Sequence, residues 1–245
     1  MNIELDTHTP TLASGHAYST ITEMIDAAVD KGLKLLAITE HAPAMPGSCK
    51  DFYFYNLKIL PRFQKGLEIM FGVELNVMDY EGRLDLPERY IECTDLRIAS
   101  LHPPCLKPGT MAENTAAVLG AIHNPYVDIL GHPDDGRYPL DYEKIIAEAK
   151  KYGKIVELNN NSMSPLNSRT NARENDRKIL KLCKKYEVPV VMGTDAHVSF
   201  MVGDLDKALE VVREAEFPEE LLMNDSVEKF KRYLEAGRKI GFGVH

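Results

Sequence analysis

Cysteine is scarce: four residues, Cys49, Cys93, Cys105 and Cys183, with no CxxC pair and no framework spacing. That excludes a disulfide scaffold and leaves reduced thiols in or near the core. No apolar run approaches the ~20 residues of a membrane-spanning helix, and the opening Met1-Asn2-Ile3-Glu4-Leu5 turns polar at once. No membrane partner is expected, and a cytoplasmic location is. Two phosphate-cradling motifs are missing too. No GxGxxG follows the first apolar run, and no GxxxxGKS or GxxxxGKT occurs, which counts against nucleotide-binding folds. Positive charge is short as well, with 29 Lys and Arg against 37 Asp and Glu and a net charge of −8. Long nucleic acids and anionic membranes are disfavoured, because neutralising phosphates needs clustered Lys and Arg. A small phosphorylated substrate stays compatible, since bound cations can dominate the field inside a cleft.

What is present is one ordinary globular composition over 245 residues, 44% hydrophobic and 27% charged, with no linker or compositional break. Residues 1–245 are expected to form a single domain. A unit recurs along them: a short aliphatic run, a polar residue at its end, then a loop or helix. The runs are Ile3–Leu5, Leu35–Ile38, Leu67–Val73, Leu96–Ala99, Val127–Leu130, Ile155–Leu158 and Val188–Met192. They suit strands buried on both faces.

Between the runs, Thr20-x-x-Glu23 and Thr110-x-x-Glu113 are capping boxes that open helices, stopped near Gly32 and Asn124-Pro125. Asp141 caps a third, ended by Gly153. Ile179, Leu180 and Cys183 mark a fourth, and Leu205, Ala208, Leu209 and Val212 a fifth. A last helix is expected from Ser226 to about Ala236. Residues 42–66, rich in Pro and aromatics, read as an irregular loop with a helical turn. This α/β alternation implies parallel strands with crossover helices, either closed into a barrel or laid out as an open doubly wound sheet.

The unusual residues fall at the ends of the strands. Asp6-Thr7-His8 follows the first, with His16 in the loop beyond; Thr39-Glu40-His41 follows the second and Gly72-Val73-Glu74 ends the third. Leu101-His102-Pro103, Gly131-His132-Pro133 and Thr194-Asp195-Ala196-His197 follow later strands. In a parallel barrel all strand C-termini face one mouth. Six of eight histidines, one Glu and one Asp then converge, more ligands than one tetrahedral ion needs, and imidazole with carboxylate suits Zn, Mn or Fe. Taken singly, each has an ordinary explanation: a lone strand-end histidine is more often hydrogen-bonded than metal-bound, and Glu74 or Asp195 alone could be a helix cap. Repetition after six strands changes that balance. His123 and His245 end no strand and are assigned no role.

This ordered set of motifs resembles the PHP superfamily, named for polymerase and histidinol phosphatase domains, and within it the YcdX-like phosphatases, over nearly the whole chain. The resemblance implies a distorted (β/α)7 barrel of parallel strands with an outer ring of helices, a centre of two or three divalent ions, and hydrolysis of phosphoesters. It assigns His8, Glu74 and Asp195 to a first metal, Glu74, His102 and His132 to a second, and His16, His41 and His197 to a third. The catalytic water would be metal-bound, held through Glu74 and Asp195, so that no serine or cysteine nucleophile is required. Asp6 and Glu40 would hold the outer nitrogens of ligand histidines or act as plain strand-end acids.

Two positions depart from the family pattern. Pro10 stands where the family has a second histidine in its opening motif, and proline has no side-chain ligand. The first site therefore loses a group, to be replaced by water, by another ion or by weak occupancy. Glu40 stands in place of the usual Asp and keeps the carboxylate. For the substrate phosphate, Arg169 is the first candidate donor and Arg137 a second, while Asn160 could position substrate or shape its turn. Tyr18 and Ser19 are ambiguous. The reading is a phosphatase acting on a small phosphorylated metabolite. A nuclease acting on nucleic acid ends and a non-catalytic metal-stabilised domain, with Pro10 as its first loss, are the alternatives.

Overall fold

Leu5–Thr9 (β1), Leu35–His41 (β2), Phe63–Gln64 (β3), Leu67–Asn76 (β4), Arg97–Ser100 (β5), Ile129–Leu130 (β6), Ile155–Asn159 (β7) and Val190–Gly193 (β8) are the strands of the computed structural model, which describes residues 2–243. Seven of them run parallel in the order β1-β2-β4-β5-β6-β7-β8, and the two-residue β3 pairs antiparallel with β4. The helices are α1 (Ile21–Asp30), α2 (Asp51–Asn56), α3 (Glu88–Ile91), α4 (Met111–His123), α5 (Tyr142–Lys151), α6 (Ala172–Tyr186), α7 (Asp206–Glu214) and α8 (Val227–Gly241). Both expected capping boxes are formed, at Thr20–Glu23 and Thr110–Glu113, and fix where α1 and α4 begin.

The sheet curls into a nearly closed barrel, the distorted (β/α)7 form. Among the described residues β8 and β1 share no ladder, and two side chains span the gap instead. Asn224 donates to Leu5 O (3.1 Å) and Met192 O (2.9 Å) and accepts from Met192 N (2.7 Å). Asp6 accepts from Thr194 N (3.1 Å) and Thr194 Oγ1 (2.5 Å). Backbone groups that a ladder would have paired are thus satisfied by side chains. The β4–β5 connection holds only the four-residue α3, a further departure from an even barrel.

Inside the barrel, Leu5, Leu35, Ala37, Leu96, Ile98, Ile129, Ile155 and Val191 form one apolar layer, sealed at the N-terminal end by Phe230 and Leu234 of α8. Each such side chain removed from water is worth roughly 1.5–3 kcal/mol. Above that layer the interior turns polar. The two-residue alternation of a strand carries Leu35 and Ala37 on to Thr39 and His41, and Ile155 on to Glu157 and Asn159. On β1, Leu5 and His8 are three apart and both face inward, which a regular strand forbids. A register shift between Asp6 and Thr9 in the β1–β2 pairing makes it possible.

Candidate metal centre

Glu74, near the C-terminal end of β4, is the hub. Its Oε2 lies 3.1 Å from His8 Nε2 and 2.8 Å from His41 Nδ1, and its Oε1 lies 2.9 Å from His132 Nε2 and 3.2 Å from His102 Nε2. Asp195 Oδ1 adds a further oxygen 3.7 Å from His8 Nε2. Donor atoms that share a tetrahedral ion at bond lengths near 2.1 Å stand about 3.4 Å apart, so these spacings, which also suit hydrogen bonds, are compatible with co-ligands. A second group lies at the rim. The ring of His16 stacks on His41 at 4.7 Å and meets His197 at 5.0 Å, and one ligand atom from each of the three lies within 4.8 Å of the others. All eight residues that the sequence pointed to therefore face one site. His123 instead pairs with Glu148 at 3.0 Å at the end of α4, and His245 lies outside the described residues.

The donor set suits divalent cations on an observation independent of spacing. His8 Nε2, both ring nitrogens of His41, Glu74 Oε2 and His132 Nδ1 are buried without a hydrogen-bond partner. Buried polar atoms left alone cost about 1–3 kcal/mol each, and a cation removes that cost at most of them. Two of the eight also hold left-handed backbone: φ is +26° at His132 and +52° at Asp195. Strain of that kind, of order 1–3 kcal/mol per residue, persists where a site needs a particular side-chain direction.

The groups behind the histidines are not the two acids expected. Glu157 Oε1 lies 2.7 Å from His8 Nδ1, and its Oε2 accepts from the backbone N–H of His132 at 2.8 Å. Asn76 Oδ1 lies 2.8 Å from His102 Nδ1. Asp6 touches no ring nitrogen, because it is spent on Thr194, on Gly203 N (3.1 Å) and on His8 N (3.4 Å). Glu40 accepts from Thr11 and from Ser14 Oγ (2.6 Å), and Ser14 Oγ in turn accepts from His41 N at 2.9 Å. Both acids brace the loops that carry the ligands. Glu157 had a signal in the sequence: a carboxylate in the middle of an aliphatic strand, Ile-Val-Glu-Leu-Asn, on the inward parity.

Comparison with known proteins decides the family. The model of the PHP domain matches residues 5–243. The chain belongs to the PHP domain family. A protein of Thermoanaerobacter sp. (strain X514) named "Probable phosphatase" is 50% identical over 98% of both chains, and one of Clostridium novyi with the same description is 45% identical over 98% of both. The chain is an enzyme of that hydrolase class. The fold is also that of histidinol phosphate phosphatase from Lactococcus lactis, solved with zinc, L-histidinol and phosphate, at TM-score 0.61 and 18% identity over 88% of this chain and 94% of that one. Among the described residues of this PHP domain no helix is long and apolar enough to cross a membrane.

The PHP site is strongly polarised. Burial works to raise Glu74, but His8, His41 and His102 outweigh it and hold the carboxyl well below its usual range. Burial likewise opposes the ionisation of Asp195, yet His8, His197 and Arg169 keep it depressed. His8 is pushed down by burial and up by Glu157, Glu74 and Asp195, which win and raise it well above an ordinary imidazole. His102 goes the other way, to about 4, because burial exceeds the pull of Glu74. His16 is lowered by burial and by His41 and His197.

Over the candidate ligands opens a cleft of about 340 Å³, lined by His16, His41, His102, His197, Arg137 and Arg169 among others. Arg169 is half-buried against it, with Nη2 on Asp195 Oδ2 at 3.1 Å and Nη1 on Asn159 Oδ1 (3.0 Å) and Ser162 Oγ (2.9 Å). Arg137 grips Asp135 at 2.7–3.0 Å and reaches Ser168 Oγ at 3.0 Å. Asn160 does not reach the cleft: its Oδ1 accepts from Ala208 N at 3.0 Å, serving a free N–H in the first turn of α7. The asparagines on the cleft wall are Asn161 and Asn167. Tyr18 is 75% exposed, with its N–H on His197 O at 2.7 Å, and Ser19 Oγ accepts from Ser199 N at 2.9 Å, so both tie the His16 loop to the His197 loop.

Proposed function

We propose that this phosphatase hydrolyses the monoester of a small phosphorylated metabolite at a centre of two or three divalent transition-metal ions, Zn, Mn or Fe. The observation that carries the reading is Glu74, whose two carboxylate oxygens each face two imidazoles at 2.8–3.2 Å. His8, Glu74 and Asp195 would hold one ion, Glu74, His102 and His132 a second, and His16, His41 and His197 a third. Ions so held lower the pKa of a water towards neutrality and offset charge on the phosphoryl oxygens.

The protein's own groups supply the rest. Glu157 and Asn76 take the Nδ1 protons of His8 and His102, which turns each Nε2 lone pair into the site. Arg169 is already oriented by Asp195, Asn159 and Ser162, so its charge stands at the cleft without reorganisation when a phosphate arrives. Arg137 and Asn161 line the same cleft and offer donors to oxygens farther from the ligands. The depressed carboxyls of Glu74 and Asp195 remain anionic throughout the neutral range. A pocket of this size with two arginines suits a small dianion better than a polymer, and the net charge of −8 agrees.

The test is phosphate release from a generic aryl phosphate and a panel of sugar phosphates, nucleotides and histidinol phosphate, with and without chelator. Chelator-sensitive turnover of a monoester supports the reading. Turnover confined to diesters or nucleic acid ends, or none after Zn²⁺, Mn²⁺ and Fe²⁺ are each supplied, would overturn it.

A further inference from the structure

The two histidines that share Glu74 from β1 and from the loop after β5 are backed unequally. Behind His8 stands a carboxylate: Glu157, buried, 2.7 Å from Nδ1. Behind His102 stands a neutral amide whose orientation is fixed from elsewhere. Asn76 Nδ2 donates to Asp85 Oδ2 at 2.7 Å and Ala42 O at 3.2 Å, so Oδ1 has to be the atom that faces His102 Nδ1 at 2.8 Å. Asp85 is itself pinned by Ala44 N (2.8 Å) and Asn76 N (2.9 Å), so the amide cannot turn over without stranding an N–H.

Charge follows the same division. The His8 side has Asp195 at 3.7 Å as well as Glu74, although Arg169 offsets part of Asp195 from Oδ2. On the other side, the further groups at Glu74 Oε1 are the imidazoles of His102 and His132. A carboxylate behind an imidazole strengthens it as a donor and adds its own attraction for a cation, and an amide does neither to that degree.

We infer that Glu157 and Asn76 are positioning residues that rank the two metal positions on either side of Glu74, the ion beside His8 being held tightly and the ion beside His102 being the exchangeable one. This rests on the multinuclear reading above, and it runs against the weakness that Pro10 suggests for the His8 side. Gly193 leaves the space that the Glu157 carboxylate fills: a Cβ at that position would lie 2.3 Å from Glu157 Oε1.

The experiment loads metal-free protein with Zn²⁺, dialyses it against graded chelator, and counts ions per chain by elemental analysis. One equivalent is expected to survive chelator that strips the others. His102→Ala should keep that equivalent and lose an exchangeable one. Glu157→Gln should weaken the tight equivalent about 10–100-fold. All equivalents leaving together, His102→Ala stripping the tight one, or folded Glu157→Gln binding as before would each overturn the ranking. If Glu157→Gln does not fold, the unsubstituted protein and His102→Ala decide. A ¹⁵N spectrum of metal-free protein should show the neutral His102 protonated on Nδ1, and a proton on Nε2 would overturn the role of Asn76. No uptake of any ion would overturn the multinuclear reading together with the ranking.

Discussion

Arg169 and Asp195 share the metal cleft: the guanidinium Nη2 takes Asp195 Oδ2 at 3.1 Å, while Asp195 Oδ1 turns towards His8 Nε2 at 3.7 Å. One carboxylate thus faces the proposed metal position on one side and the guanidinium proposed to meet the phosphate on the other. Lysine at position 169 would keep the charge but lose the fork that also grips Asn159 and Ser162. Arg169→Lys is expected to lower kcat/KM for a monoester about 10²-fold, as loss of one oriented donor does. Steady-state kinetics on preparations of equal metal content check this, and unchanged kcat/KM would remove Arg169 from the reaction.

His8 carries a raised proton affinity in the metal-free protein, through Glu157, Glu74 and Asp195 acting against burial. It therefore holds its proton more firmly than an ordinary imidazole, and an ion binding through Nε2 must displace that proton. Metal binding should release about one proton near neutrality from this group, and affinity should rise with pH by up to about tenfold per unit. Titration calorimetry in buffers of different ionisation enthalpy reads the proton directly. Binding with no pH dependence between 6 and 8 would contradict the arrangement.

Closure of the barrel depends on Asn224, which meets Leu5 O and both Met192 N and Met192 O. Asn224→Ala strands those groups, and at about 1–3 kcal/mol for each one left unpaired, a loss of several kcal/mol in unfolding free energy is expected. Urea unfolding measures it. A loss below about 1 kcal/mol would mean that water or backbone takes over the gap.

Much of this architecture is legible in the sequence, for a physical reason. Strands buried on both faces are written as aliphatic runs, and the two capping boxes mark α1 and α4 without ambiguity. The strand ends were less legible. β1, β2 and β4 run on through Thr9, His41 and Asn76, past their apolar runs, because the barrel interior is polar at that end while the ladder continues. β3 is two residues long and leaves no periodicity to read, and α8 continues beyond Ala236 to Gly241. The convergence of eight candidate positions on one mouth is legible because histidines and carboxylates recur at one strand end after another. The residues behind them were not, because a hydrogen bond between Glu157 and His8 joins positions 149 apart. Glu40 is adjacent to His41 and so points the opposite way on β2, while Asp6, two residues before His8, is set on another face by the register shift in β1, so closeness in sequence misled. Asn160 lies just past the end of β7, in helical backbone, and turns to α7 while Asn159 faces inward.

Gly193 supplies an independent handle on Glu157. An alanine there would bring Cβ within 2.3 Å of Glu157 Oε1 and 2.9 Å of the His8 Cβ. Gly193→Ala is expected to fold with a lowered Tm and to lose at least one equivalent of metal, measured by elemental analysis beside a melting curve. Full metal content at an unchanged Tm would show that Glu157 is not held where the structure places it.

If Glu74 joins two metal positions, as proposed, counting ions in Glu74→Gln shows it without reference to substrate. Purified without chelator, the unsubstituted protein should carry two or three equivalents of Zn, Mn or Fe. The variant, which keeps the shape but loses the charge that two pairs of imidazoles face, should drop by at least one equivalent and lose monoester hydrolysis by several orders of magnitude. Glu74→Gln retaining both its metal and its turnover would contradict the account.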